Sequence, residues 1–289
     1  MRKFKTLCFI AITACTVLFT ACGGGANTPD SSMITIDADG TYANTQPYAT
    51  QGYDGWETNA CGGFSMAYYF AEKGRIPANE VKNAAQNFYN KIKFDSSLID
   101  GIINLINSQG GGDDESESLN IDPSDLYFAD FSDPLKIRNE MAAYVYNSEL
   151  RMVIDPKGSS DATQALAMLA YFIIPTTEQT SVTFIDNIEE ELDDNEYVIE
   201  IVISNPPATD GVITVDVNNP FNNYFHYLLT YWKTVNGVKE LYTLDPYQGE
   251  EKPRSYFDNT VAASRSGHPD ETYLFCEGGV FITPENPAI

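Results

Sequence analysis

Three residues far apart in the chain could together perform nucleophilic chemistry: Cys61, His226 and Asp245. Cys61 opens the run Cys61-Gly62-Gly63-Phe64-Ser65-Met66-Ala67-Tyr68-Tyr69-Phe70, which favours a buried helix closed by Gly74. A cysteine at a helix start lies near the positive end of the helix dipole, which favours thiolate over thiol. A thiolate nucleophile needs a proton shuttle and a group that orients the shuttle. His226, in Phe225-His226-Tyr227-Leu228-Leu229, would take and return the proton. Asp245, in Leu244-Asp245-Pro246-Tyr247, would hold the imidazole in one tautomer and stabilise its charged form.

The elements around these residues give the pair a reason to meet. Phe225 to Thr234 and Glu240 to Leu244 read as strands, with Asn236-Gly237 between them as a hairpin signal. Folding back at that turn brings the two strand ends together. Tyr197 to Ile203 is a further strand, Val212 to Val217 another, and Tyr273 to Ile282 a last strand or pair. Upstream, the helix after Cys61 is followed by a second from Pro77-Ala78-Asn79-Glu80 to about Lys93, with apolar spacing at Val81, Ala84, Ala85, Phe88, Tyr89 and Ile92. Ser96 to Asn107 and the run after Ser159-Ser160-Asp161 read as helices, and Phe184 to Leu192 as a short acidic one. Gly40 to Thr58 reads as an ordered loop leading to the cysteine. A mostly helical first half and a mostly antiparallel second half predict an α+β fold, a helical lobe followed by a β lobe with the site in the cleft between them.

Composition excludes several function classes. The 289 residues carry 41 Asp and Glu against 17 Lys and Arg. Three of the basic residues, Arg2, Lys3 and Lys5, lie at the extreme N-terminus. A body this acidic is repelled by phosphate backbones, so no nucleic-acid partner is expected. The acidic stretch Asp113-Asp114-Glu115 reads as a solvated loop, since its spacing does not follow a calcium-binding loop. No metal and no cofactor is expected, and the chain is expected to be a monomer.

Residues 1–21 have the form of an export signal: Met1-Arg2-Lys3-Phe4-Lys5, then an apolar run from Leu7 to Phe19. Phe19-Thr20-Ala21-Cys22 followed by Gly23-Gly24-Gly25 resembles the bacterial lipoprotein signal. That resemblance implies cleavage before Cys22, lipid on its sulfur and amine, and attachment to the cell envelope through the lipid anchor. Residues 22–40 then form a flexible linker and residues 41–289 the functional domain.

Taken in order, Gln51, Cys61-Gly62 opening a helix, His226-Tyr227-Leu228-Leu229-Thr230-Tyr231 and Leu244-Asp245-Pro246-Tyr247 resemble the papain-like cysteine peptidases, and among them the bacteriocin-leader (double-glycine) peptidase-like family. The resemblance covers about residues 48–249. It implies a papain-like fold, thiol-dependent hydrolysis of peptide bonds, and a peptide or protein substrate. It also implies a glutamine in the oxyanion hole, for which Gln51 is the candidate, with Gln46 and Asn59 as alternatives. Gly63 stands where that family often has proline. The segment at about 93–157 reads as an insertion.

Blander readings exist for each residue. Cys61 could be a packed core cysteine or the disulfide partner of Cys276. His226 could be a core histidine, with His268 the base instead, and Asp245 a turn residue. Trp56, Trp232 and Tyr247 could line a cleft or simply pack. The same triad could also serve acyl transfer to an amine or cleavage of peptidoglycan peptides. A papain-like scaffold used only for binding at the cell surface is the non-enzymatic alternative.

Overall fold

The computed structural model describes residues 35–37, 40–44, 48–52, 54–93, 131–145, 148–151, 187–204, 213, 215, 223–257 and 273–283. The expected signal peptide, Cys22, Gln46, the acidic run at Asp113, the helices expected at 96–107 and after Ser159, most of the strand expected at 212–217, and His268 lie outside them.

Among the described residues there are four α-helices and six strands. The helices are α1 (Cys61–Glu72), α2 (Val81–Ile92), α3 (Pro134–Ala142) and the short α4 (Ile188–Glu191). The strands are β1 (Ser148–Arg151), β2 (Tyr197–Ile203), β3 (Phe225–Val235), β4 (Val238–Leu244), β5 (Glu251–Pro253) and β6 (Leu274–Ile282). The strands form one sheet in the order β1-β6-β2-β3-β4-β5 with every pairing antiparallel. The α+β class is therefore present, built as α1, α2 and α3 packed on one face of a mixed-order antiparallel sheet, with the short α4 against the other face.

Strand alternation sorts the side chains. Phe225, Tyr227, Leu229 and Tyr231 of β3 and Ile199, Ile201 and Ile203 of β2 share one core with α1 and α2. Leu228 and Val202 face the other side, where they pack with Phe257, Tyr273 and Phe275. The helix start at Cys61 is buried on every side: all residues from Cys61 to Ala71 are buried. This helix has no polar stripe because it is covered by α2 as well as by the sheet.

Two glycines make that burial possible. A Cβ on Gly63 would stand 2.5 Å from the Ala85 carbonyl oxygen of α2, and one on Gly62 would stand 2.7 Å from the Ser132 side chain. The close approach of α1 to α2 leaves no room for a side chain at position 63.

The hairpin follows the sequence expectation closely. Asn236 and Gly237 both have positive φ (53° and 81°), and Val235 pairs with Val238 across the turn. That register continues to Leu229 opposite Leu244. Parts of the segment expected as an insertion are structural members: Ile137, Met141, Val145 and Leu150 enter the main core, and β1 pairs with β6.

On the outer face lies a part-buried ionic cluster around the fully buried Glu200. Arg254 Nη2 donates to Glu200 Oε1 and to Glu277 Oε1, each at 2.6 Å, and Thr230 Oγ1 donates to Glu200 Oε2 at 2.8 Å. Glu277 has φ of 50° at the point where the β2–β6 register shifts, and its Oε2 accepts from the Ile188 backbone N at 3.0 Å. The bulge thus turns Glu277 both toward Arg254 and onto the start of α4.

Candidate active site

The site forms where the first residue of α1 meets the start of β3 and the loop after β4. His226 is the second residue of β3, opposite Val202 of β2. Extending the β3–β4 register by one pair sets Asp245 opposite Leu228. Asp245 is then a diagonal neighbour of His226 on the same face of the sheet, within reach of a side-chain contact. His226 Nε2 is 2.9 Å from Asp245 Oδ1, with both side chains buried. The third residue lies near them: Cys61 is close enough to the imidazole to help raise its pKa. With Nε2 spent on Asp245, Nδ1 is the ring nitrogen left for the sulfur.

Electrostatics favour a charged imidazole. Burial pulls the His226 pKa down, but the hydrogen bonds to Asp245 and Cys61 and their negative charges outweigh it and push it up to about 9. Tyr227 registers the same sulfur. Burial first, and then the charge of Cys61, hold its phenol well above its ordinary range.

Several contacts fix the sulfur–imidazole separation. Ser65, one turn after Cys61 on the same helix face, donates through Oγ to the Tyr227 carbonyl at 3.1 Å. Tyr68, on the next turn, donates from its hydroxyl to Ala49 O at 3.0 Å and Pro246 O at 3.4 Å. One tyrosine thereby ties the loop before Cys61 to the loop that carries Asp245. Tyr247 donates its backbone N–H to Asp245 Oδ1 at 2.9 Å, and its ring stacks on His226 at 4.7 Å with an interplanar angle of 13°.

Gln51 is buried beside these loops. Its backbone N donates to Pro246 O at 2.6 Å, and its Nε2 donates to Thr58 O at 3.0 Å. The amide carries two N–H groups, and the bond to Thr58 O uses one of them. Oε1 is buried and makes no hydrogen bond among the described residues.

Comparison of the chain with family models, curated proteins and solved structures finds no match. The site is therefore read from its own geometry. Cys61 and Cys276 are both free, so they do not form the disulfide considered from the sequence. Asn59 contributes a backbone contact, its carbonyl accepting from Ser132 Oγ at 3.4 Å. Of the three candidate cleft aromatics, Tyr247 lies on the imidazole. Trp56 packs on Phe64 and Tyr89, and Trp232 sends its indole N–H to Leu192 O at 2.6 Å. Among the described residues no group of His, Cys, Asp and Glu is placed to hold a metal ion.

Sequence reasoning missed Tyr273, Ser65 and Ser132. Tyr273 donates from its hydroxyl to Asp245 Oδ2 at 2.7 Å, and its ring centroid lies 5.3 Å from that of His226. Ser132 accepts through its carbonyl from the Tyr227 hydroxyl at 2.9 Å and lies against Gly62. Ser65 had a legible signal, a hydroxyl four residues after Cys61 in an otherwise apolar helix. Tyr273 and Ser132 had none, because each reaches the site only through long-range packing.

Proposed function

We propose that this protein is a papain-like cysteine hydrolase, a peptidase in its most direct reading, held at the bacterial cell envelope by lipid on Cys22. The observation that carries the reading is the buried His226–Asp245 pair at 2.9 Å, with Cys61 at the start of α1 near enough to raise the pKa of the same imidazole. Cys61 attacks a peptide carbonyl as the thiolate. The oxyanion that forms is met by the Cys61 backbone N–H and the second amide N–H of Gln51. His226, as imidazolium, gives its proton to the leaving amine. The neutral imidazole then takes one from the water that cleaves the thioester, and departure of the sulfur restores the thiolate–imidazolium pair. Asp245 keeps the ring turned throughout.

The same groups support acyl transfer if an amine replaces water. Peptide hydrolysis is favoured because the site needs only water as the second reactant.

The decisive experiment treats the exported protein with a thiol-directed peptidase probe, maps the adduct by mass spectrometry, and assays peptide hydrolysis. Modification of Cys61, with hydrolysis lost in Cys61→Ala and His226→Ala variants of wild-type melting temperature, is expected. Hydrolysis retained in both variants rejects the reading. A Cys61 that alkylates no faster than a free thiol near neutral pH favours the binding-protein alternative.

A further inference from the structure

Asp245 is saturated at both carboxylate oxygens, and the three donors come from three parts of the chain. Oδ1 faces His226 Nε2 and accepts the Tyr247 backbone N–H, each at 2.9 Å, while Oδ2 accepts the Tyr273 hydroxyl at 2.7 Å. A carboxylate held only on the Oδ1 side can rotate about its Cβ–Cγ bond and loosen its grip on the ring. A donor on Oδ2 removes that freedom. Tyr273 is itself fully buried and immobilised: its backbone N donates to Phe257 O at 2.8 Å, and its ring stacks on Phe257 at 5.7 Å.

We propose that Tyr273 is a positioning residue of the catalytic centre, acting through Asp245 to hold the His226 imidazole toward Cys61. A tyrosine needed only for packing would be served by any carbonyl partner. This one spends its hydroxyl on the carboxylate that orients the base, and lays its ring beside that base. The imidazole is enclosed by the Tyr273 ring on one side and the Tyr247 ring on another. The ionisable groups around it are Cys61 from α1, Asp245 and Tyr247 from the segment after β4, and Tyr273 from the entry to β6.

The proposal rests on the hydrolase reading for its catalytic consequence, but its test does not depend on turnover. The full-length protein and its Tyr273→Phe variant are compared in three measurements: melting temperature, kcat and KM on a peptide substrate, and the pH dependence of Cys61 alkylation by iodoacetamide. Phenylalanine keeps the ring against Phe257 and removes only the donor. We expect kcat to fall about tenfold, the scale of one buried hydrogen bond to a charged group, with KM within about twofold. The pH range of fast alkylation should narrow at its alkaline end by about half a unit or more. An unchanged kcat and alkylation profile in a folded Tyr273→Phe protein overturns the proposal. Absence of any turnover in the unsubstituted protein rejects the hydrolase reading alone, since the alkylation profile still reports the pair. Should Tyr273→Phe fail to fold, the unsubstituted protein decides. Its NMR spectrum should show a slowly exchanging phenolic proton with an Overhauser contact to the His226 ring, and its absence overturns the proposal.

Discussion

Ser65 Oγ donates to the carbonyl of Tyr227 at 3.1 Å, one helical turn from Cys61 and one residue from His226. This bond ties the helix that carries the sulfur to the strand that carries the imidazole, so their separation is not left to apolar packing alone. Ser65→Ala should cost about 1 kcal/mol of stability, measured by urea denaturation. If the reading of Cys61 as nucleophile holds, the same variant should lose roughly tenfold or more in kcat, because sub-ångström misplacement of reacting groups is costly. Wild-type kcat in Ser65→Ala would mean that the helix dock does not set the reacting geometry.

The pH response follows from His226. Its pKa rises from 6.5 when unfolded to about 9 when folded, so the folded state holds the proton more tightly. The stability this supplies is fully present below about pH 6.5 and is lost as pH climbs through about 9. The unfolding midpoint of the wild-type protein should therefore fall over that window. A His226→Gln variant should show a flatter profile across it. Parallel profiles would show that the imidazole is not charged in the folded protein.

Much of this site was legible because its geometry is set locally. The Asn236-Gly237 turn fixes the β3–β4 register, and that register alone makes His226 and Asp245 diagonal neighbours. The apolar run after Cys61, with Gly74 behind it, defines a helix with sulfur at its start. The parts that were not legible depend on distant pairings. Ser148 meets Ile282 in the β1–β6 ladder, and nothing local in Ser148-Glu149-Leu150-Arg151 announces it. Tyr273 reaches Asp245 across 28 residues of chain, and only the folded sheet brings it there. From sequence alone Trp232 could line a cleft or pack, and nothing local decides between the two. Its indole N–H reaches the Leu192 carbonyl, and it packs with Ile188, Leu192 and Phe281.

Gly63 and Gly237 make a paired test of two glycine roles. At Gly63 the obstacle is the neighbouring helix, since a new Cβ would stand 2.5 Å from the Ala85 carbonyl oxygen. Gly63→Ala should force α1 and α2 apart and cost about 1–3 kcal/mol. It should also lower the rate of Cys61 alkylation, because α1 carries Cys61 at its start. At Gly237 there is open space, and the obstacle is φ of 81°. Gly237→Ala should cost about 1 kcal/mol and leave Cys61 reactivity unchanged. Equal effects of the two variants on alkylation would contradict the assignment of Gly63 to the α1–α2 contact.

Arg254 anchors the segment after β5 through two carboxylates, one of them on a fully buried side chain. Burial raises the Glu200 pKa, while the charge and hydrogen bonds of Arg254 oppose that rise. Arg254→Met removes the opposing charge and leaves Glu200 with Thr230 as its remaining side-chain donor. The expected loss is about 3–5 kcal/mol near neutral pH, the scale of a broken buried pair. The direction with pH is specific. With Arg254 gone, the folded Glu200 carboxyl binds its proton more tightly than the unfolded one, so the variant should regain stability as pH falls and the group neutralises. Chemical denaturation at pH 8 and at pH 5.5 reads this directly, and the gap between wild type and Arg254→Met should shrink at the lower pH. Adding Glu200→Gln to Arg254→Met should recover part of the loss at pH 8 and remove most of the difference between the two pH values. A double variant no more stable than the single one at pH 8 would show that Arg254 holds the sheet by packing on Phe275, whose ring lies 3.9 Å from its guanidinium carbon, and not by neutralising Glu200.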